Sequence, residues 1–227
     1  MTDVVRAGWS KTRIPLGAEA RVLDLGSGAF PNPRADFLCD WSLWHDRGGK
    51  APLVDRPFVI ADALALPFRR LAFDLVIASH IAEHVEDPAA LCSELTRVSK
   101  AGYIETPSPS FDRLFHESGH LWRVRRRRGT LRFQRKRARR RLSVALTEPI
   151  YRLYYAGEET ERPTLRMPGG LLGRLLRALQ YLLKGVLNRS GLIHTRYRFG
   201  PEKPLSYIVE SSDRTDAITS DGGRQRR

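Results

Sequence analysis

Three aspartates in the first third of the chain stand at or near the ends of short apolar runs. Asp24 precedes a glycine turn at 26–28, and Asp40 and Asp62 follow the next two apolar runs. In a parallel sheet the carboxyl ends of the strands meet at one edge, where such sheets bind their ligands. One carboxylate can accept hydrogen bonds from two hydroxyl groups. The spacing therefore predicts a cleft for a polar ligand.

A fourth apolar run ends at Ser79 and is followed by His80, whose imidazole titrates near neutral pH. His80 is a candidate general base, or a group that orients the substrate. A hydrogen-bonded structural histidine is the alternative. His84 lies one turn further on, and His116 and His120 follow the fifth predicted strand, where residues of an acceptor site could also lie.

Residues 80–84, with the sequence HIAEH, also match the H-x-x-E-H pattern of inverted zinc peptidases. On a helix, two histidines four residues apart share a face and can hold zinc, with Glu83 as the base. The pattern begins at the end of an apolar strand and lacks a clear third ligand, so we expect no metal site.

The apolar runs predict the elements that position these residues. Strands are expected at 21–25, 37–39, 58–61, 73–79 and 101–106, with a helix over 88–99. Pro88 suits the first turn of that helix. Pro31 and Pro33 closely follow the glycine turn, so the helix that is common after such a turn is curtailed here.

Three segments carry a resemblance to a known family: LDLGSG at 23–28, DALALPF at 62–68 and FDLVIASHIAEH at 73–84. On these residues the chain resembles the class I S-adenosylmethionine-dependent methyltransferases of the methyltransferase type 11 family, over residues 20–110. The resemblance implies an α/β fold, a Rossmann-like three-layer sandwich with a mostly parallel sheet. To this the chain adds a basic insertion and a helical addition.

The resemblance also implies S-adenosylmethionine as the cofactor. Asp24 and the glycine turn would meet its methionyl end, Asp40 its ribose, and Asp62 with the Ala63 amide its adenine. A turn residue or helix N-cap is the alternative role for Asp62. The implied cofactor-binding residues are Asp24, Gly26, Ser27, Gly28, Asp40, Asp62, Ala63 and Ser79, and the catalytic candidates are His80 and His84.

A chain of 227 residues with 41% hydrophobic residues suits one α/β domain with additions. We expect this domain over 1–211, with a cofactor-binding core at 20–110 and a basic acceptor-side region at 111–200. A disordered tail is expected at 212–227. Two cysteines and no apolar leader predict a reducing, cytoplasmic setting. No apolar run reaches the ~20 residues of a membrane span.

The second half of the chain resembles the family less and is predicted from local patterns. We expect a hairpin across Gly129, a helix over 135–147 stopped by Pro149, a loop at 157–168, and closing antiparallel strands at the sheet edge over 197–199 and 205–209.

Residues 123–141 hold twelve Lys or Arg and no acid, which nearly accounts for the formal net charge of +14. Such a tract attracts phosphate, in nucleic acid, a lipid headgroup or a polyprenyl-diphosphate carrier. A solvated hairpin and helix with an incidental charge is the alternative.

A stripe of leucines over 171–187, flanked by Arg174, Arg177 and Lys184, predicts an amphipathic helix. Such a helix fits a membrane interface, but we expect it to pack on the core or to form a dimer contact.

From these features we expect methyl transfer to oxygen or nitrogen of a small molecule, or of a glycan or lipid-linked acceptor. The enzyme would work in the cytoplasm or peripheral to the inner membrane, with a phosphate-bearing acceptor or an anionic membrane surface as partner. The alternative from a different class is a nucleic-acid-binding protein on a methyltransferase scaffold, without catalysis.

Overall fold

The structure is a computed structural model, and it describes residues 2–8, 11–44, 51–115, 117, 119–136, 141–156, 168–189, 193–210, 216–219 and 224–226. The strands are β1 (Thr2–Ala7), β2 (Thr12–Gly17), β3 (Val22–Leu25), β4 (Phe37–Asp40), β5 (Phe58–Ile60), β6 (Phe73–Ser79), β7 (Ser99–Pro107), β8 (Trp122–Arg127), β9 (Thr130–Arg135), β10 (His194–Phe199), β11 (Tyr207–Glu210), β12 (Asp216–Thr219) and β13 (Arg224–Arg226). The helices are α1 (Pro88–Val98), α2 (Pro109–Phe115), α3 (Arg141–Tyr154) and α4 (Gly170–Arg189).

A six-stranded sheet in the order β10-β7-β6-β3-β4-β5 lies at the centre of the described fold. Its strands are parallel except for β10, which runs antiparallel to β7 at the edge. All of β3 is buried, as parallel strands covered on both faces require. The mostly parallel, Rossmann-like sheet and the closing strand at 197–199 are therefore confirmed.

Different kinds of structure cover the two faces of this sheet. On one face, Leu91 of α1 and Phe133 of the β8–β9 hairpin belong to one buried cluster with the sheet. On the other face, Val5 of the β1–β2 hairpin and Ala35 join a second cluster. Residues 29–36 form no helix, as their prolines predict. A hairpin therefore supplies apolar cover on that face.

The basic hairpin is confirmed, but the strand after it is not where we expected it. Arg128 and Gly129 form a two-residue turn with φ angles of 50° and 82°, both positive as in a type I′ turn. β11 then pairs parallel with β9 in a second sheet, of order β13-β12-β11-β9-β8. The predicted position of strand 205–209 at the edge of the central sheet is therefore wrong. Two short strands, β12 and β13, lie where we expected a disordered tail.

The bounds predicted for the helix before Pro149 are also wrong. α3 begins at Arg141 and continues through Pro149. Tyr151, beyond the proline, is 2% exposed and packs against Phe115, so tertiary packing sustains the helix past a residue that locally disfavours it. The predicted loop at 157–168 lies almost entirely outside the described residues.

α4 forms over the predicted residues, but its leucine stripe does not pack on the core. Leu171, Leu175 and Leu182 are 73%, 60% and 65% exposed. The expectation of a core helix is therefore wrong. No helix in the described part of the chain is both long enough and apolar enough to cross a membrane.

Gly102→Ala is expected to destabilise the domain. A Cβ at this position in β7 would overlap the ring of Phe199 in β10 and approach Val76 Cγ1 to 3.0 Å. Overpacking of this kind costs about 1–3 kcal/mol of folding free energy. Urea denaturation should show a lower midpoint with an unchanged slope. Gly17→Ala is the control, because nothing lies within 4 Å of the added Cβ there. Equal denaturation midpoints for Gly102→Ala and wild type would contradict the close packing of Gly102 against Phe199.

Candidate active site

A cleft of about 1580 Å³ opens at the carboxyl edge of the central sheet. The residues that the sequence predicts for cofactor binding and catalysis all line it: Asp24, Gly26, Ser27, Gly28, Asp40, Asp62, Ala63, Ser79, His80 and His84. Gly8 and Lys11, from the turn between β1 and β2, line it as well. Neither was among the predicted site residues.

The glycine turn after β3 is held by its own amides. Gly26 N donates to Cys39 O at 2.7 Å, and Gly28 N donates to Asp40 Oδ2 at 3.0 Å. Gly26 has a φ of 69°, and a Cβ there would lie 2.7 Å from the side chain of Ile81. The positive φ and the closeness of Ile81 each require glycine at position 26. Since these amides are already paired, the turn offers a ligand close backbone approach rather than unpaired donors.

Asp24 is the most buried of the three aspartates. Its exposed fraction is 6%, and its Oδ2 accepts a hydrogen bond from Asn32 N at 2.6 Å. Burial raises the pKa of Asp24 to about 7; the Asn32 hydrogen bond opposes the rise, and the charge of Asp40 adds to it. A nearby cation favours the ionised form of a buried carboxyl, so this position suits a cationic ligand group.

Asp40 and Asp62 have structural hydrogen bonds as well as a place in the cleft. Asp40 Oδ1 accepts from Trp41 N at 2.8 Å. Asp62 Oδ1 accepts from Leu64 N at 2.9 Å and so closes a turn. The turn role considered for Asp62 is therefore present. Each carboxylate retains further lone pairs with which it can bind a ligand.

Two buried hydroxyl groups beside the cleft fit a polar ligand. The Oγ atoms of Ser27 and Ser79 have no hydrogen-bond partner among the described residues, although both residues line the cleft. Buried hydroxyls without partners are uncommon in proteins. Together with the carboxyl of Asp24 and the close approach at Gly26, they fit S-adenosylmethionine, which carries an ammonium, a carboxylate and ribose hydroxyls.

His80 stands at the end of β6 in a left-handed backbone conformation. Its φ is 59°, which non-glycine residues rarely adopt except where the surrounding structure enforces it, often at functional sites. Its amide donates to Glu105 O at 2.8 Å, which fixes this geometry. Residues 80–84 form a turn rather than a helix. The helix face that the zinc-peptidase pattern requires is therefore absent.

The buried Glu105 and the half-buried His194, on neighbouring strands, extend the site beside His80. Glu105 Oε1 in β7 lies 3.9 Å from His80 Nε2, and the ring of His194 in β10 lies 5.5 Å from the His80 ring. Burial lowers the pKa of His194 to about 4. No local motif marks Glu105 or His194, because the pairing of β7 with β6 brings Glu105 to His80 and the pairing of β10 with β7 brings His194 there.

Glu83 is fully surrounded by protein, with three histidines beside it. Burial by itself would raise the pKa of Glu83, but the contact with His80 and the charges of His84 and His120 outweigh burial and hold the pKa below its ordinary value. His120 comes from the segment between α2 and β8, and its role beside Glu83 has no signature in the local sequence.

Among the described residues, five of the twelve basic residues of the tract form ion pairs within the domain, with three acidic residues. Arg123 and Lys136 pair with Asp112, Arg125 and Arg132 pair with Glu210, and Arg135 pairs with Glu86. Arg126, Arg127 and Arg128, at the tip of the hairpin, are exposed. The internal pairs weaken the expectation of an extended phosphate-binding surface along this tract.

A family model described as a methyltransferase domain matches residues 42–104. This segment contains the motifs at 62–68 and 73–84, so the resemblance that they carry is confirmed.

Curated relatives match less than half of the chain. A demethylmenaquinone methyltransferase of Renibacterium salmoninarum is 37% identical over 89 residues, which cover 36% of this chain and 38% of the relative. Another, of Roseiflexus castenholzii, is 30% identical over 121 residues, covering 45% and 49%. The chain therefore spans no more than about half the length of these relatives. Among solved structures, an S-adenosylmethionine-dependent methyltransferase of Mesorhizobium loti superposes with a TM-score of 0.31 at 22% identity, covering 40% of this chain and 48% of that one.

Asp24→Asn is expected to make stability less dependent on pH. The pKa of Asp24 is about 7 in the folded protein against an ordinary 3.8, so between these pH values the folded state keeps a proton that the unfolded state has lost. The contribution of Asp24 to the free energy of unfolding is therefore greatest below pH 3.8 and falls as the pH rises, until it is lost above about pH 7. Between about pH 6 and about pH 8 the wild type should lose about 1.4 kcal/mol of unfolding free energy through this group. Urea unfolding at the two pH values measures it. The variant keeps an acceptor for Asn32 N. If it loses as much unfolding free energy as the wild type between the two pH values, the raised pKa of Asp24 is contradicted.

Proposed function

We propose that the chain, which matches a methyltransferase family model over residues 42–104, transfers a methyl group from S-adenosylmethionine to an acceptor bound at the carboxyl edge of the central sheet. The observation that supports the proposal most directly is the buried carboxyl of Asp24 beside the turn at Gly26. A carboxyl poised to ionise there matches a ligand with a cationic end.

When bound, S-adenosylmethionine supplies a methyl group on a sulfonium, which a lone pair of the acceptor attacks in line. Asp24 binds the ammonium at the methionyl end, and Asp40 accepts hydrogen bonds from the ribose hydroxyls. Asp62 and the Ala63 amide hold the adenine. The protein contributes position, because methyl transfer needs close alignment of the reacting atoms.

His80 orients the acceptor and accepts its proton in this proposal. Its side chain lines the cleft, and Nδ1 lies 3.3 Å from Glu83 Oε1. A carboxylate at that distance holds the imidazole in one orientation. His84, the second candidate, lines the same wall of the cleft.

Asp40→Asn is expected to weaken S-adenosylmethionine binding by at least about tenfold, because it replaces charge-assisted hydrogen bonds with neutral ones. Asparagine keeps an oxygen acceptor for Gly28 N, so the loss reports on charge rather than on the turn. Calorimetric titration of the full chain measures it.

Asp74→Asn is the matched control for that titration, since Asp74 lies at the opposite end of β6 and bonds Arg21 N and Lys100. Equal affinities of wild type and Asp40→Asn would contradict the assigned ribose contact. No binding by the wild type would contradict the cofactor itself.

For the acceptor, we propose an oxygen or nitrogen nucleophile on a small molecule, a lipid-linked group or a glycan, reached at a membrane surface. The relatives named demethylmenaquinone methyltransferases act, by their names, on demethylmenaquinone. Support from this chain itself comes from the orientation of α4.

α4 meets the domain on the side where Gln180 is buried and Leu176 and Leu183 are half-buried, and most of its other leucines are exposed. Gln180 is 8% exposed, and its Nε2 donates to Tyr154 O at 3.0 Å and to Ala156 O at 2.9 Å. Lys184 Nζ lies 5.2 Å from the centre of the Tyr154 ring. The hydrogen bonds of Gln180 therefore fix which side of the helix meets the domain, and the exposed leucines, among them Leu175, Leu179 and Leu182, are left for another apolar surface.

The charge beside the stripe favours an anionic membrane as that surface. α4 contains Arg174, Arg177, Lys184 and Arg189 and no acid. An amphipathic helix with leucines on one face and basic residues on its flanks binds where headgroups meet acyl chains. Anionic lipids add about 1 kcal/mol for each basic residue near the surface.

The double variant Leu175→Glu/Leu179→Glu is expected to reduce binding to vesicles of phosphatidylcholine with phosphatidylglycerol by about a hundredfold or more, from the loss of two leucine side chains alone. Co-sedimentation of the full chain measures it. Leu53→Glu/Val54→Glu makes the same charge change at exposed apolar residues outside α4 and should bind like wild type. Failure of the wild type to sediment, or equal binding by the α4 variant, would remove the membrane from the proposal.

A further inference from the structure

Glu83, His84 and His120 form a cluster beside the cleft. One ligand atom from each side chain lies within 4.8 Å of the others. Glu83 and His84 come from the turn after β6, and His120 comes from the segment before β8. The methyl transfer proposed above does not need Glu83 or His120 as reacting groups, so the cluster calls for a separate explanation.

Two hydrogen bonds determine which imidazole nitrogens carry lone pairs. His84 Nδ1 lies 2.9 Å from Gly119 O, and His120 Nδ1 lies 2.9 Å from Asp112 Oδ1. Carbonyl and carboxylate oxygens only accept, so each Nδ1 carries the hydrogen and each Nε2 carries the lone pair in the neutral ring. Metal-binding histidines are held in this way, by a carbonyl or carboxylate on the nitrogen that does not face the metal.

The carboxylate of Glu83 is buried and has no hydrogen-bond donor among the described residues. The Glu83 side chain is 1% exposed, and neither carboxylate oxygen has a hydrogen-bond partner among the described residues. The nearest imidazole nitrogens are His80 Nδ1 at 3.3 Å and His84 Nε2 at 3.9 Å. A buried carboxylate without hydrogen bonds is costly unless a positive charge compensates it, and a metal ion bound between Glu83 and the histidines would supply that charge directly.

We propose that Glu83, His84 and His120 bind a divalent transition-metal ion, with zinc as the first ion to test. Two imidazoles and one carboxylate are an established ligand set for zinc and its neighbours. Tetrahedral zinc places its ligand atoms about 3.4 Å apart, so side-chain shifts on the order of 1 Å close the site. His84 lines the cleft, so the remaining coordination position faces the space assigned to the acceptor.

This site differs from the zinc-peptidase pattern that the sequence also matches. In that pattern two histidines of one helix bind the metal and the glutamate is the base. Here Glu83 is a ligand, His80 is not, and the third ligand comes from a distant segment. Binding of the metal at this site does not depend on whether methyl transfer occurs.

A second cluster, of His80, Glu105 and His194, also brings its ligand atoms within 4.8 Å of one another. It is the weaker candidate, because the carboxylate of Glu105 accepts a hydrogen bond from the Tyr103 hydroxyl. It serves as an internal comparison for the first cluster.

The test is metal binding by the full chain, without an affinity tag and stripped with a chelator. Titration with zinc chloride should show one ion per chain and a rise in melting temperature, and cobalt should give the visible d–d absorption of a low-symmetry site. Glu83→Gln and His120→Asn should lower zinc affinity by more than about 100-fold, and Asp112→Asn, which releases His120, by about 10–100-fold.

Two matched variants locate the site. Glu86→Gln makes the same change at an exposed glutamate of the cleft, whose side chain is 74% exposed, and His194→Asn changes the second cluster; both should bind zinc like wild type. If Glu83→Gln does not fold, His84→Asn replaces it, because His84 is only half-buried, and this variant should lower zinc affinity by the same factor. The proposal is overturned if the wild type binds no zinc or cobalt, if the Glu83 and His120 variants bind normally, or if His194→Asn abolishes binding.

Discussion

The cleft depends on the parallel register of β3 with its two neighbours. Leu25 is paired with Cys39 of β4 and with Ala78 of β6, so the three strands end at the same level. The buried side chains enforce this register, because a shift of one residue would turn each side chain to the opposite face. The glycine turn, Asp40 and Ser79 meet for that reason, although the loops that follow these strands differ in length and composition.

The same edge of the sheet concentrates buried acids. Asp24, Glu83 and Glu105 are 6%, 1% and 0% exposed, and a buried carboxylate is costly unless it is protonated, hydrogen-bonded or paired with a cation. Asp24 meets this constraint through a raised pKa and Glu105 through the Tyr103 hydroxyl. Glu83 depends on the histidines around it. The edge is thus preorganised for ligands that bring positive charge, whether an ammonium group or a metal ion.

The failures of sequence prediction in the second half of the chain share a cause. The continuation of α3 through Pro149 and the pairing of β11 with β9 are decided by distant packing partners, which local propensity does not contain. The stripe of α4 was read correctly as amphipathic, but periodicity does not say which face meets the domain. Gln180 donates to carbonyl groups at the end of α3 and just after it, and these bonds determine which side of α4 meets the domain and leave most of the leucines exposed.

The sequence by itself determined the parallel strands, the glycine turn and the loss of the helix after it, whereas the cofactor candidates came from the resemblance to a family and stay predictions. Each of the first three features rests on residues close together in the chain: an apolar run, a glycine that needs positive φ, a proline that lacks an amide hydrogen. Only the tertiary structure placed Glu105, His120 and His194 beside His80 and Glu83. Those contacts join segments far apart in sequence, and they arise from strand pairing and core packing, which no local pattern encodes.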